Sequence, residues 1–340
     1  MNPQYQKRLH LFAVFTASCT LLLIVAGGLV TSTGSGLAVP DWPLSYGRLM
    51  PPMVGGIFYE HGHRMIASFV GFLTVILAIW LWRRESRSWV KTLGFIALGA
   101  VITQGILGGL TVLFLLPTAI SVSHATLAQT FFCITIVLAV VTSRWWIEKS
   151  LTLDLDLSSS IRTLSVAVVG SLYVQLILGA LMRHTGSGLA IPDFPLAYGQ
   201  LFPSLSLESL QQYNHRLIAE DVRLAADGPI TDSQIILHYL HRVWALVVAG
   251  LVVSAGFKLI RTGASSLKFL GFLLILLLGI QITLGAYTIL TLKSVVVTTA
   301  HVANGALMLG ISVLSLMIVL RLSKVKFVSF AFVRTEEQTA

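Results

Sequence analysis

The chain has 340 residues, 55% of them hydrophobic and 11% charged, with a formal net charge of +9 and a mean hydropathy of +0.85. Soluble globular proteins carry about 25% charged residues, so this composition excludes an ordinary soluble enzyme, a disordered chain and a disulfide scaffold. It fits a chain whose solvent is lipid. Lys and Arg are scattered in small groups, with no stripe for a nucleic-acid backbone to follow, so nucleic acid is excluded as a partner. The two cysteines, Cys19 and Cys133, lie in apolar runs and read as small core residues.

A membrane-crossing helix needs about 20 mostly apolar residues. Eight stretches qualify: 11–31, 63–82, 93–115, 121–142, 163–182, 237–257, 268–290 and 297–320. The first lacks a small-residue cleavage pattern and reads as a retained span. With the N-terminus inside, only Arg48, Arg64, Arg183, Arg216, Arg223, Arg242 and Lys293 of the 23 Lys and Arg fall outside, the bias the positive-inside rule asks for. Both termini are then cytoplasmic, and the long segments 32–62 and 183–236 face out. The expected fold is all-α and integral to the membrane, with eight transmembrane helices.

Those helices fall into two halves. Thr33-Gly-Ser-Gly-Leu-Ala-Val-Pro-Asp-Trp-Pro-Leu-Ser-Tyr-Gly47 recurs as Thr185-Gly-Ser-Gly-Leu-Ala-Ile-Pro-Asp-Phe-Pro-Leu-Ala-Tyr-Gly199, identical at twelve of fifteen positions. Each copy follows an odd-numbered span and opens a long outer loop. The pairs His63-Arg64 and His241-Arg242 begin the second and sixth spans. His124 and His301 lie near the start of the fourth and eighth. A Gln-x-x-Leu-Gly element recurs at Gln104, Gln175 and Gln281. The halves, 1–150 and 151–340, are expected to be pseudo-symmetric four-helix bundles of parallel topology. The second outer loop is longer by about 26 residues.

The duplicated histidines are the main chemical signal. His63, His124, His241 and His301 all lie toward the outer ends of their spans, and ionisable side chains in hydrocarbon are costly and usually functional. Two His on adjacent helices at one depth can supply both axial ligands of a haem iron, so two pairs imply two haem sites. His10, His61, His184 and His215 carry weaker signals. His10 is expected at a solvated inner end and His184 at the interface. His61 forms a His-x-His with His63 but lacks further ligands for a metal site. His215-Arg216 resembles His63-Arg64 but is followed by Glu220, Asp221, Arg223 and Asp227, which cannot enter hydrocarbon. One difference separates the halves: His238 precedes His241 by three residues, whereas Glu60 occupies that offset before His63. A carboxyl at the rim of one apolar site alone points to chemistry there and a permanent cofactor in the other.

Taken together, Glu60-His-Gly-His63-Arg64, the Leu-Gly-Gly-Leu-Thr-Val-Leu run at 107–113, His124, His241-Arg242, His301 and the two Thr-Gly-Ser-Gly-Leu motifs resemble haem A synthases over essentially the whole chain. The resemblance implies an enzyme of the bacterial plasma (inner) membrane that oxidises the C8 methyl group of haem O to the formyl group of haem A, the prosthetic group of haem–copper terminal oxidases. It implies that the 1–150 half takes substrate haem O on His63 and His124. It also implies that the 151–340 half holds haem b on His241 and His301, and that Glu60 is catalytic. The implied partners are haem O synthase, an electron donor and further copies of the chain, within membrane lipid. Some relatives carry a cysteine pair in the first outer loop; residues 32–62 have none. The alternatives are a diheme b-type electron-transfer cytochrome and a transporter. Polar groups at the outer helix ends, away from the midplane, speak against transport.

Overall fold

The computed structural model describes residues 4–148, 159–222 and 228–323. Lys149, Arg223, Asp227, Lys324, Lys326, Arg334 and the boundary at 150/151 therefore lie outside the described residues. Among the described residues, eight helices are long and apolar enough to cross a membrane: α1 (Lys7–Ser32), α2 (Gly55–Arg84), α3 (Ser88–Leu113), α4 (Thr118–Val141), α6 (Ser159–His184), α8 (Asp232–Ile260), α9 (Ser265–Leu290) and α10 (Val295–Leu322). The described residues also form two shorter α-helices, α5 (Arg144–Glu148) and α7 (Leu207–Ala219), and a single 3-10 turn at Ser187–Leu189. No strand occurs among the described residues, so the fold is all-α and integral to the membrane.

Helix ends follow local chemistry. Thr231 accepts from the Gln234 amide while the Gln234 side chain accepts from the Thr231 amide, a capping box that starts α8. Pro117 precedes α4, where its missing N–H costs nothing. The α3–α4 turn places Leu115 and Leu116 at φ of 58° and 61°, and the α9–α10 turn repeats this at Leu292 and Lys293, at 50° and 63°. Non-glycine residues adopt that region uncommonly, so the matching turns extend the duplication to backbone detail. The helices also run further outward than apolarity alone indicates. α2 starts at Gly55, so Glu60 and His63 lie well inside it. The outer loops satisfy these polar turns, which is why the turns persist.

Packing closes two rings: α1–α2–α3–α4 and α6–α8–α9–α10. Leu73, Leu77, Leu81, Phe131 and Leu138 fill the first, and Leu172, Val252, Leu259, Leu274 and Leu309 the second. The rings join where α10 meets α1 and α4, and where α4 meets α6. Arg183 on α6 ties that seam, donating to the Gly28 carbonyl (3.3 Å) and Ser32 Oγ (2.8 Å) of α1. Phe72, Phe95, Leu246 and Phe269 stay exposed on the periphery, as side chains facing lipid do.

The tightest helix contact is between α8 and α9. A Cβ on Gly271 would lie 2.6 Å from the Gly256 carbonyl oxygen, and one on Gly256 would lie 2.7 Å from Ile275 Cγ1. Small residues allow such close approach in membranes. Gly271→Ala is expected to push the helices apart and to destabilise the protein by about 1–3 kcal/mol. Gly250→Ala, where nothing lies within 4 Å of the new Cβ, is expected to cause no loss. Thermal unfolding of both variants in detergent checks this.

Candidate functional site

The duplicated outer loops fold alike because the same side chains tie them. Asp41 Oδ1 accepts from the Tyr46 amide (2.6 Å) and Oδ2 from the Gly47 amide (2.8 Å); Asp193 does the same for Tyr198 (2.7 Å) and Gly199 (2.8 Å). The Tyr46 and Tyr198 hydroxyls donate back to the Ala38 and Ala190 carbonyls. Trp42-Pro43 and Phe194-Pro195 are both cis. Arg64 and Arg242 then clamp each loop to its helix. Arg64 donates to the Val39, Asp41 and Leu44 carbonyls, and Arg242 to the equivalent Ile191 and Leu196 carbonyls.

Glu60 and His238 occupy one structural position. Glu60 Oε2 accepts from the Val39 amide at 2.7 Å, and His238 Nδ1 accepts from the corresponding Ile191 amide at 3.3 Å. Both side chains are buried, 4% and 2% exposed. Glu60 Oε1 also takes a 2.7 Å ion pair from Arg64. Among the described residues Arg242 makes no ion pair of this kind, and its Nε is buried without a hydrogen-bond partner. Glu60 is thus neither an exposed loop residue nor a surface partner of Arg64.

Below the loops lie the four histidines. His63 on α2 and His124 on α4 stand on opposite helices of the first ring, not on adjacent ones, as do His241 on α8 and His301 on α10 in the second. Each ring rests on a glycine of a facing helix. A Cβ on Gly27, Gly108, Gly179 or Gly285 would lie 3.1–3.2 Å from Cε1 of His63, His124, His241 or His301 respectively. Nδ1 of His63, His124 and His301 is buried with no partner among the described residues. Unpaired polar atoms inside an apolar bundle call for a ligand. Among the described residues no three His, Cys, Asp or Glu groups converge on a bare metal ion, whereas a macrocycle brings four of the ligands of its iron with it. The paired imidazoles, their orphaned nitrogens and the cleared glycine faces fit a haem in each ring.

The remaining histidines take structural parts. His10, expected to be solvated, instead lies 3.1 Å from the Ala139 carbonyl, joining α1 to α4. His61 is buried with Nδ1 2.8 Å from Ser45 Oγ. The His184 carbonyl accepts from Thr118. His215 sits exposed on α7, apart from both pairs. The cradle glycines were not singled out from sequence. Three of them end a Gln-x-x-Leu-Gly element, a signal that could have found them; Gly27 lacks it. The ring of Trp42 covers Gly109, where a Cβ would lie 2.6 Å from Cδ2.

Comparison with known proteins now bears directly on these features. The profile of the COX15-CtaA family, described as cytochrome oxidase assembly protein, matches residues 10–55 and 54–313. That stretch takes in all four paired histidines, Glu60 and both loop motifs. The chain is 30% identical over 300 residues to a heme A synthase of Halalkalibacterium halodurans, covering 84% of this chain and 98% of that protein. It is 32% identical over 216 residues to one from Alkalihalophilus pseudofirmus (62% and 72%), and 25% identical over 321 residues to one from Geobacillus kaustophilus (93% of each). The chain belongs to the haem A synthase family. In this member of the haem A synthase family the first loop is fastened by Asp41 and Arg64, with no cysteine between residues 32 and 62.

The amides of Gly47 and Tyr46 hold the Asp41 carboxyl below the usual aspartate range. Its folded-state value is the lower one, so its contribution is complete above about pH 3.9 and is lost as pH falls through the folded value. The first outer loop is therefore expected to loosen only in strong acid, and Asp41→Asn to remove that transition while weakening the loop at neutral pH. Limited proteolysis across residues 33–54 against pH checks this.

Proposed function

We propose that the chain oxidises the C8 methyl group of haem O to a formyl group, in the plasma membrane with its long loops outside. The half spanning 1–150 takes haem O as substrate on His63 and His124. The half spanning 151–340 holds a permanent haem b on His241 and His301. A haem bound in the second half supplies one-electron redox chemistry beside the substrate. The chain's own residues do the rest. The glycine faces set how closely each imidazole approaches its neighbouring helix, the Arg-clamped loops shut the outer ends against water, and helix packing fixes the two sites side by side.

The observation that carries the reading is the exchange of Glu60 for His238 at one position. Both groups anchor the same loop amide, so a neutral imidazole suffices for that job in the second half. The first half nevertheless keeps a buried carboxylate, paired with Arg64 and three residues before His63 on the same helix. A buried charge is costly unless it serves a purpose. Here its charge serves the reaction. With water as the oxygen source and an external electron acceptor, oxidation of a methyl to a hydroxymethyl and then a formyl group consumes water and releases protons and electrons. A carboxylate at the rim accepts those protons or steadies positive charge on the substrate carbon.

Glu60→His, which copies the second half, is expected to keep the loop, the haem b and haem O loading while abolishing haem A. Glu60→Gln is expected to do the same or to stall at the hydroxymethyl haem. Chromatography of haems extracted from cells carrying each variant reads this directly. Haem A at the level of the unmodified protein in both variants would remove Glu60 from the chemistry.

A further inference from the structure

The two outer loops share a feature that the histidine sites do not use: each turns large apolar side chains outward at matching positions. Past the shared motif the chain runs Arg48-Leu49-Met50-Pro51 in the first loop and Gln200-Leu201-Phe202-Pro203 in the second. Leu49 and Met50 are 84% and 59% exposed, and Leu201 and Phe202 are 74% and 73% exposed. Within the motif, Trp42 and Leu44 are exposed on one loop, and Phe194 and Leu196 on the other. The residues differ between the copies, yet every one of these positions stays apolar. Clusters of exposed apolar side chains mark an interaction surface.

Lipid is the partner that fits these patches, for three reasons. The first is continuity with the lipid-facing helix surface. Ile102, Ile106 and Leu113 are exposed on α3 at the spacing of one helical stripe, and Gly109 falls on that stripe. Trp42 lies over Gly109, so this part of the first loop runs along the lipid side of α3. The second reason is that the loops answer their own peptide groups. Asp41 takes the Tyr46 and Gly47 amides, Arg64 serves the Val39, Asp41 and Leu44 carbonyls, and Ser45 and Arg48 bond each other's backbone. Asp193, Arg242 and the Ala197–Gln200 pair repeat this in the second loop. Water would satisfy such groups without help, whereas hydrocarbon would not. The third reason is symmetry: the patches stand on different rings, and a bilayer surrounds both with the same apolar layer.

We propose that both loops are seated in the bilayer surface, with Leu49, Met50, Leu201 and Phe202 among the acyl chains beneath the phosphate layer. Arg48 stands beside the first pair, and its long stem lets the guanidinium reach back to the phosphates. Each histidine pair is then closed at its loop end by a segment bathed in lipid, not by one standing in water.

Nitroxide labels on single cysteines test this, because their collision rates report the medium around them. The probes are molecular oxygen, which concentrates in hydrocarbon, and a polar nickel chelate, which is excluded from it. Labels are placed on Leu49→Cys and Leu201→Cys and, as an aqueous reference, on Gln212→Cys, which lies on the exposed face of α7. Cys19 is buried and Cys133 packs against the core, so the new thiol is the one that reacts. The labelled holoprotein is reconstituted in phosphatidylcholine–phosphatidylglycerol vesicles with the chelate on both sides. The ratio of oxygen to nickel collisions is expected to be several-fold higher at both loop positions than at the α7 position. A ratio at either loop equal to that on α7 overturns the proposal. Shielding of either loop from both probes also overturns it, since a second copy of the chain would then be the cover. If a loop variant fails to fold, Met50→Cys and Phe202→Cys are read in its place by the same criterion.

Discussion

Four imidazoles inside an apolar helical bundle must each find a partner, and the rest of the structure is arranged around that demand. A lone buried imidazole is costly in lipid, and a ring used as a ligand must also be held in a fixed plane. Glycines 27, 108, 179 and 285 let each ring lie flat against a facing helix. Three glutamines reach the histidines beside them. Arg64 and Arg242 pin the outer loops over the same helix ends. Remove the histidine pairs and these features lose their common purpose.

Duplication supplied two copies of this arrangement, and the differences between them carry the function. At the loop anchor one half has Glu60 and the other His238. At the aromatic of the loop motif, Trp42 covers Gly109, while Phe194 and Ala286 stand at the corresponding positions. Four residues before the cradle glycine, Leu23 stands where the other three helices have glutamine. All three differences fall in the half assigned to the substrate. A permanent cofactor site gains from every restraint, whereas a site that loads, reacts and releases must leave some restraint out.

Much of this was legible in the sequence. Eight spans, the repeat and the histidine pairs follow from hydropathy and self-similarity, which are patterns of local sequence. The start of α2 at Gly55 was not legible, because the stretch before His63 is not apolar and is held helical by the loop it contacts. The Glu60 contact with the Val39 amide was hidden for a related reason: its partner lies 21 residues away in a loop whose path no periodicity encodes. The four cradle glycines escaped notice because their partners are rings on other helices; three end the Gln-x-x-Leu-Gly element, which reads in sequence only as a repeat, and Gly27 lacks even that marker. His10 was misjudged because its partner, the Ala139 carbonyl, belongs to a helix far along the chain.

The central claim is that two histidine pairs hold two haems with different fates. Spectra and extracted-haem chromatography of purified His63→Ala and His241→Ala proteins test it most directly. His63→Ala is predicted to retain a low-spin haem b and yield no haem A, and His241→Ala to lose that haem b signal. Loss of the same haem in both variants, or full retention of haem b in His241→Ala, would contradict the account.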